Sequence, residues 1–237
     1  MLVRLVGGHP AAALGIDLTP GPSGGDTELW RWLVAAGLLS DRLGRKRTGA
    51  ALGALERAGC GSAAALAAAE PTAVAAALAA GDHPRAERRA AQLARHAREL
   101  GERYAGSLER LAAESADLEE LGDRLSALGP GLGAATVRRF LEPLRERWPA
   151  ARELPLSPAT LAAAHHLGLA ADAGAEAATG ETLCAAVAGA PEAPSPTDFE
   201  AALSHLGARA CLRDRRDRCP LGGDAPCELA PSPEGDG

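Results

Sequence analysis

Residues 128–136 read LGPGLGAAT, a turn whose residue types could bind an anion. Gly131 and Gly133 keep side chains out of the turn and permit backbone angles that other residues resist. A helix is predicted to begin at Ala134, so its first amides have no partner within the helix. Unpaired amides and the positive end of the helix dipole together attract a group such as phosphate. An ordinary helix–loop–helix turn has the same pattern, and both interpretations stay open.

A second set of reactive residues lies near the C-terminus, where Cys211, Cys219 and Cys227 are spaced C-x7-C-x7-C. The N-terminal residues are too broken by Gly and Pro for a signal peptide, so we expect a cytoplasmic protein. Its thiols are then reduced, either free or as metal ligands, rather than joined in disulfides.

The elements that position these residues are predicted to be helices. Alanine dominates the apolar composition, aromatic residues make up 3% of the chain, and β-branched residues are sparse. Such a composition favours an all-α protein with a core of close-packed helices. Periodicity, caps and breakers predict helices at 28–39, 45–57, 71–81, 84–104, 107–114, 117–128 and 134–148.

Two helix starts are predicted beyond the turn. Ser157-Pro158 places a capping side chain before a proline at the first helical position, and this helix runs through His166. Thr197-x-x-Glu200 matches a capping box and predicts a last helix to about Ala210. The chain has no run of 18 apolar residues, so we expect no membrane association.

Two basic segments, 38–58 and 205–218, stand out against a net charge of −6. Residues 38–58 carry five basic and two acidic side chains, a local charge of +3. Arginine suits phosphate because its planar guanidinium donates two parallel hydrogen bonds. A solvated arginine-rich surface would look the same in the sequence.

Leu128–Thr136 resembles the hairpin turn of the endonuclease III-like helix-hairpin-helix (HhH-GPD) superfamily of DNA glycosylases, which reads roughly L-P-G-V-G-x-K-T-A. Upstream, LSDRLGRKR at Leu39–Arg47 resembles the family's L-S-A-Q-x-x-D-K-R segment. Gly207 and Cys211–Cys227 fall where the family has its iron–sulfur loop. The resemblance covers about residues 27–227. It implies binding of double-stranded DNA through a set of turn and basic residues: Gly131, Leu132, Gly133, Thr136, Arg42, Arg45, Lys46 and Arg47.

The chain departs from the family at the positions that carry catalysis. The Schiff-base lysine of bifunctional members matches Ala135, which has no amine to attack a sugar. The catalytic aspartate, shortly after a Trp-Pro step, matches Leu154. Glu153 is the neighbouring carboxylate and the one catalytic candidate. The resemblance therefore implies an enzyme without Schiff-base lyase activity, if the chain is an enzyme at all.

The cysteine loop departs from the family in the same way. Family members hold a [4Fe-4S] cluster with four cysteines spaced C-x6-C-x2-C-x5-C. Cys211, Cys219 and Cys227 match the first, second and fourth, and Gly222 falls at the third. The resemblance implies either a cluster held by three thiolates or a loop that has lost its cluster.

The resemblance implies two helical lobes with a cleft between them. We expect the first lobe at 27–147, the second at 1–26 plus 148–228, and a disordered tail at 229–237. The leading interpretation is a monomeric DNA-backbone-binding relative of endonuclease III, linked to base-excision repair, with its catalytic lysine and aspartate lost. The alternatives are an active monofunctional glycosylase that hydrolyses an N-glycosidic bond, and a protein-interaction or iron-sensing module.

Overall fold

The computed structural model describes residues 2–21, 25–41, 43–169, 194–213 and 215–221. Throughout these ranges the regular elements are helices and no β-strand occurs, which confirms the all-α prediction. Within the same ranges, no helix combines the length and the hydropathy needed to cross a bilayer. The tail at 229–237 lies outside the described residues.

The chain divides into two compact units. The larger unit is Pro10–Leu154, and the smaller unit combines Met1–His9 with Pro155–Gly237. The larger unit therefore extends beyond the expected 27–147 at both ends. Ala11 and Ile16 pack into its core before the first long helix, and Trp148 does so after the last one.

The larger unit is built from helices of 4 to 19 residues. In chain order they are α2 (Pro10–Ala13), α3 (Asp26–Ser40), α4 (Arg45–Arg57), α5 (Ala63–Ala68), α6 (Pro71–Ala80), α7 (Ala86–Tyr104), α8 (Leu108–Ala113), α9 (Leu118–Ser126) and α10 (Ala134–Leu141). Short 3-10 helices follow at Glu142–Leu144 and Pro149–Glu153.

Helix α3 is the centre of the larger unit. Its side chains are buried around most of its circumference, including Leu29, Trp32 and Ala35 at 0% exposure. The indole Nε1 of Trp32 donates a hydrogen bond to the carbonyl oxygen of Phe140 on α10 over 3.0 Å. This bond satisfies the buried indole and ties the hairpin's second helix to the central helix.

Helix α10 is shorter than the sequence predicted. It ends at Leu141, where the prediction continued to Trp148, and Glu142–Leu144 forms a 3-10 turn instead. Pro143 explains the change because proline has no backbone N–H and its ring opposes a continuing α-helix.

The smaller unit contains α1 (Leu2–Val6), α11 (Pro158–His166) and α12 (Pro196–Arg209), with 3-10 turns at Cys211–Arg213 and Arg216–Arg218. The backbone amide of His9 donates to the carboxylate of Asp198 over 2.8 Å, which joins the N-terminal segment to α12. Helices α11 and α12 cross closely at Gly207. A Cβ built there would lie 1.8 Å from the carbonyl oxygen of Ala159.

The start of α12 differs from the predicted capping box. Ser195 is the N-cap, and its hydroxyl accepts a hydrogen bond from the amide of Asp198 over 3.1 Å. Thr197 therefore lies inside the helix, and the capping-box prediction was wrong. The start of α11 was predicted correctly, since the Ser157 hydroxyl accepts from the amide of Thr160.

Candidate nucleic-acid interface

Two buried leucines anchor the turn between α9 and α10 in the core, and two glycines with positive φ allow it to bend. Leu128 and Leu132 are buried at 0% and 2% exposure. Gly129 and Gly131 have φ values of +145° and +96°, a region that residues with a Cβ rarely adopt. The side chain of Leu132 is thus a core anchor, and only its backbone faces the turn.

The surface of this turn presents unpaired backbone amides. Within the described residues, the amides of 131–135 donate no hydrogen bond. Gly133 is the N-cap of α10 and supplies no capping side chain, and the first turn of α10 has no acidic residue. Gly131, Gly133, Ala134 and Ala135 are exposed. This combination of open amides and a helix N-terminus favours an anion.

Thr136 contributes to the turn in a different way. Its side chain is 5% exposed, and its amide donates to the carbonyl oxygen of Gly133 over 2.8 Å. That hydrogen bond closes the first turn of α10. Neither the side chain nor the amide of Thr136 is open to a ligand in this conformation.

Side chains of helix α7 pack against the turn and support it, and the sequence did not predict this contact. The His96 Nε2 lies 3.0 Å from the carbonyl oxygen of Pro130, and because a carbonyl only accepts, this nitrogen carries the proton. The side chain is 1% exposed. Burial lowers the pKa of His96 to about 4, so the ring is neutral near pH 7.

The glycines of the turn leave space for the side chains of α7. A Cβ on Gly131 would lie 3.2 Å from the side-chain amide of Gln92. A Cβ on Gly129 would lie 3.0 Å from the His96 ring and 3.2 Å from the Arg95 side chain. Arg95 is exposed, so it places a positive charge beside the turn.

The first basic segment identified in the sequence lies at the start of α4. Arg45, Lys46 and Arg47 occupy its first turn, all exposed, after the uncapped N-cap Gly44. The Nε of Arg47 lies 2.7 Å from the carboxylate of Asp82. Arg45 and Lys46 form no ion pair within the described residues.

Arg42, also predicted to bind DNA, lies outside the described residues. The residue before it, Asp41, is the C-cap of α3 and belongs to a partly buried polar cluster. Its carboxylate accepts from Arg89, which is 3% exposed and also donates to the carbonyl oxygen of Gly37 over 2.9 Å. His83 Nε2 lies 3.6 Å from the same carboxylate, and burial together with Arg89 lowers the pKa of His83. The cluster fixes the end of α3 against α7.

The two positions matched to the catalytic residues of the family share one groove. Ala135 and Leu154 both line a groove of about 500 Å³ between α9 and α10. Leu154 is 8% exposed, and its carbonyl oxygen accepts from the Arg145 guanidinium. Glu153, the catalytic candidate, is exposed at the end of a 3-10 helix and does not line the groove.

The cysteine loop is described only in part. Cys211 and Cys219 are half-buried, form no disulfide within the described residues, and pack against the core of the smaller unit. Cys227 and Gly222 lie outside the described residues. Within the described ranges, no group of three or more histidine, cysteine or acidic side chains is arranged to hold a metal ion.

The residues of α7 could not be assigned to the turn from the sequence. Arg88, Gln92 and Arg95 recur at helical spacing, a pattern typical of a solvated arginine-rich face. The contacts with Pro130 and Gly131 join residues more than 30 positions apart, as for His96 and Pro130. A single histidine within a basic helix was the local signal.

Comparison of the chain with protein-family models, with curated proteins and with solved structures finds no significant match.

Proposed function

We propose that this chain binds the backbone of double-stranded DNA as a monomeric relative of the endonuclease III-like glycosylases and serves base-excision repair. The observation that carries the proposal is the turn at 131–135, which is exposed except at Leu132 and whose amides have no hydrogen-bond partner in the described part of the chain. A phosphate oxygen accepts from such amides and is stabilised further by the dipole of α10.

Exposed positive side chains supply the long-range attraction. Arg95 stands next to Gly129, and Arg45 and Lys46 are exposed at the start of α4. None of the three forms an ion pair within the described residues, so each is available to a phosphate. Binding of this kind releases counterions and weakens as salt concentration rises.

The proposed activity is binding without bond cleavage. Ala135 offers no amine for an imine, and Leu154 offers no carboxylate to stabilise an oxocarbenium ion. Glu153 points from an exposed 3-10 turn outside the groove that contains both positions. The described residues of the groove hold carboxylates only on α9, at Glu119 and Asp123.

Gly133 gives the sharpest test because its backbone suits any residue. Its φ of −74° is unstrained, and a Cβ there would meet no atom within 4 Å. Gly133→Asp supplies a good N-cap and so preserves the helix, but its carboxylate occupies the amides and repels phosphate. Gly133→Ser caps the helix in the same way without adding charge.

The matched control is Gly25→Asp, which adds the same charge at the uncapped start of α3. Helix α3 has 15 residues and spans about 22 Å, and its other end contacts α10 through Ser40 and Arg139. The start of α3 contacts α8 instead, where the amide of Glu109 donates to the carboxylate of Asp26 over 3.0 Å, so Gly25 lies at the opposite end of α3 from the Ser40–Arg139 contact.

The measurement is fluorescence anisotropy with a labelled duplex at several salt concentrations. We expect wild-type affinity to fall steeply with salt, Gly133→Asp to lose most of the binding, Gly133→Ser to lose less, and Gly25→Asp to bind as the wild type does. Salt-independent affinity, or equal binding by Gly133→Asp and wild type, would contradict the proposal.

A further inference from the structure

The groove between α9 and α10 has an apolar floor. Val137, Leu141 and Leu154 form its base, with exposed fractions between 1% and 8%. The exposed methyl groups of Ala134 and Ala135 form its α10 wall. All of these residues belong to the larger unit.

Two carboxylates from α9 stand at the rim of this floor. Glu119 and Asp123 are four residues apart, so both lie on the same face of the helix. Both are exposed, and neither side chain forms an ion pair or hydrogen bond within the described residues.

Other carboxylates of the same region are paired. Glu120 on α9 accepts from Arg124 over 2.7 Å, and Glu114 lies 2.7 Å from Arg110. Arg110 on α8 and Arg124 on α9 thus pair with other carboxylates and do not line the groove.

Gly122 keeps the groove open between the two carboxylates. It lies inside α9, where glycine is less favourable than alanine by about 1 kcal/mol. A Cβ at this position would meet no atom within 4 Å, so packing does not require glycine. A side chain here would instead project into the groove that Gly122 lines.

The charge facing the groove is negative. Its single described basic residue is Arg138, whose Nε lies 3.4 Å from the carboxylate of Glu142, one turn further along. No described basic side chain neutralises Glu119 or Asp123 in this way. A ligand that fits this surface therefore carries positive charge beside an apolar body.

We propose that this groove binds an arginine or lysine side chain of a partner polypeptide. The apolar stem of the side chain lies over the methyl groups of Ala134 and Ala135, and its charged end lies between the carboxylates of Glu119 and Asp123. Long basic side chains bury their methylene stems in this manner while the charge stays at the rim.

The volume of the groove favours a peptide over a small cation. About 500 Å³ is the size of a site for a drug-sized ligand, more than one basic side chain fills. Apolar neighbours in the same peptide segment cover the remaining floor. A nucleic acid does not fit here, because Glu119 and Asp123 repel phosphate. The inference therefore goes beyond DNA binding and does not rest on it.

The test is an NMR titration of the ¹⁵N-labelled full chain with the hexapeptide acetyl-LRALLR-amide. The amide signals of Gly122, Ala134 and Ala135 report on the groove. Acetyl-LEALLE-amide controls for charge, and L-arginine amide tests whether a free cation suffices. We expect the basic peptide alone to shift these signals strongly.

Two double variants separate the groove from general surface charge. Glu119→Gln with Asp123→Asn removes both rim charges, and we expect the Kd for the basic peptide to rise about fivefold or more. Glu102→Gln with Glu146→Gln removes two exposed carboxylates elsewhere and should leave the Kd unchanged.

Three results would overturn the inference. They are an absence of shifts at the groove, equal affinity of the rim variant and the wild type, and binding of L-arginine amide as tight as that of the peptide. DNA binding is measured in a separate assay, so failure of one proposal is distinguishable from failure of the other.

Discussion

The burial of His96 makes the stability of the larger unit depend on pH. The pKa of His96 is about 4 in the folded chain and about 6.5 in an unfolded one. At a pH between these two pKa values, His96 is protonated in the unfolded state and neutral in the folded state. The free energy of unfolding therefore falls as pH decreases from about 6.5 to about 4, and this residue adds no further change below that range.

The size of the effect follows from the difference of about 2.5 pKa units. At about 1.4 kcal/mol per unit, His96 contributes about 3 kcal/mol near pH 7 that is lost by pH 4. Carboxylates also titrate at the lower end of this window, so the wild type alone does not isolate the histidine. His96→Gln keeps a donor for the carbonyl oxygen of Pro130 and does not titrate.

Tryptophan fluorescence is the appropriate probe because Trp30, Trp32 and Trp148 all lie in the larger unit. Urea unfolding at intervals from pH 4 to pH 7 should give a difference between wild type and His96→Gln that shrinks steadily as pH falls. A proton NMR titration of the folded chain should show no His96 transition above about pH 5. A transition near pH 6.5, or a difference that stays constant with pH, would refute the reasoning.

Three further outcomes are expected. Gly207→Ala should destabilise the smaller unit by about 1–3 kcal/mol in thermal unfolding, because its Cβ would overlap the carbonyl oxygen of Ala159, and an unchanged transition would contradict the close crossing. Ser195→Ala should lower the free energy of unfolding by about 1 kcal/mol while Thr197→Ala has little effect, and the reverse result would support Thr197 as the N-cap instead. Borohydride reduction with an abasic-site duplex should give no covalent product, because Ala135 lacks an amine, and a product would reveal another nucleophile.

Local signals predicted most helices because their causes are local. The bounds of α4, Arg45–Arg57, agree with the sequence prediction at both ends, and Ser157-Pro158 marked α11 correctly. The same Ser-Pro signal occurs at Ser195-Pro196, just before the predicted capping box Thr197-x-x-Glu200. Proline at the first helical position has a fixed φ that suits a helix start, and here it outweighs the capping-box pattern.

Only those features of the candidate site that depend on residues within the turn were predictable from the sequence. The structure agrees with the predicted start of α10 at Ala134 and with the special backbone angle predicted at Gly131. The same prediction was wrong for Gly133, whose φ of −74° is ordinary, and the second glycine with a positive φ is Gly129. The support from Gln92, Arg95 and His96 depends on how α7 packs, which no spacing within the turn encodes. The burial of Thr136 likewise follows from its place on the inner face of α10.

The two flanks of the hairpin carry opposite charge, and this restricts how a phosphate can approach. On the α7 side, Arg95 lies beside Gly129 and supplies positive charge, while the neutral His96 adds no charge. On the α9 side, Glu119 and Asp123 face the groove that begins at Ala134. Under the proposed function, DNA therefore contacts the turn from the α7 side. The α9 side remains available to a basic partner, so one turn can serve two ligands of opposite charge.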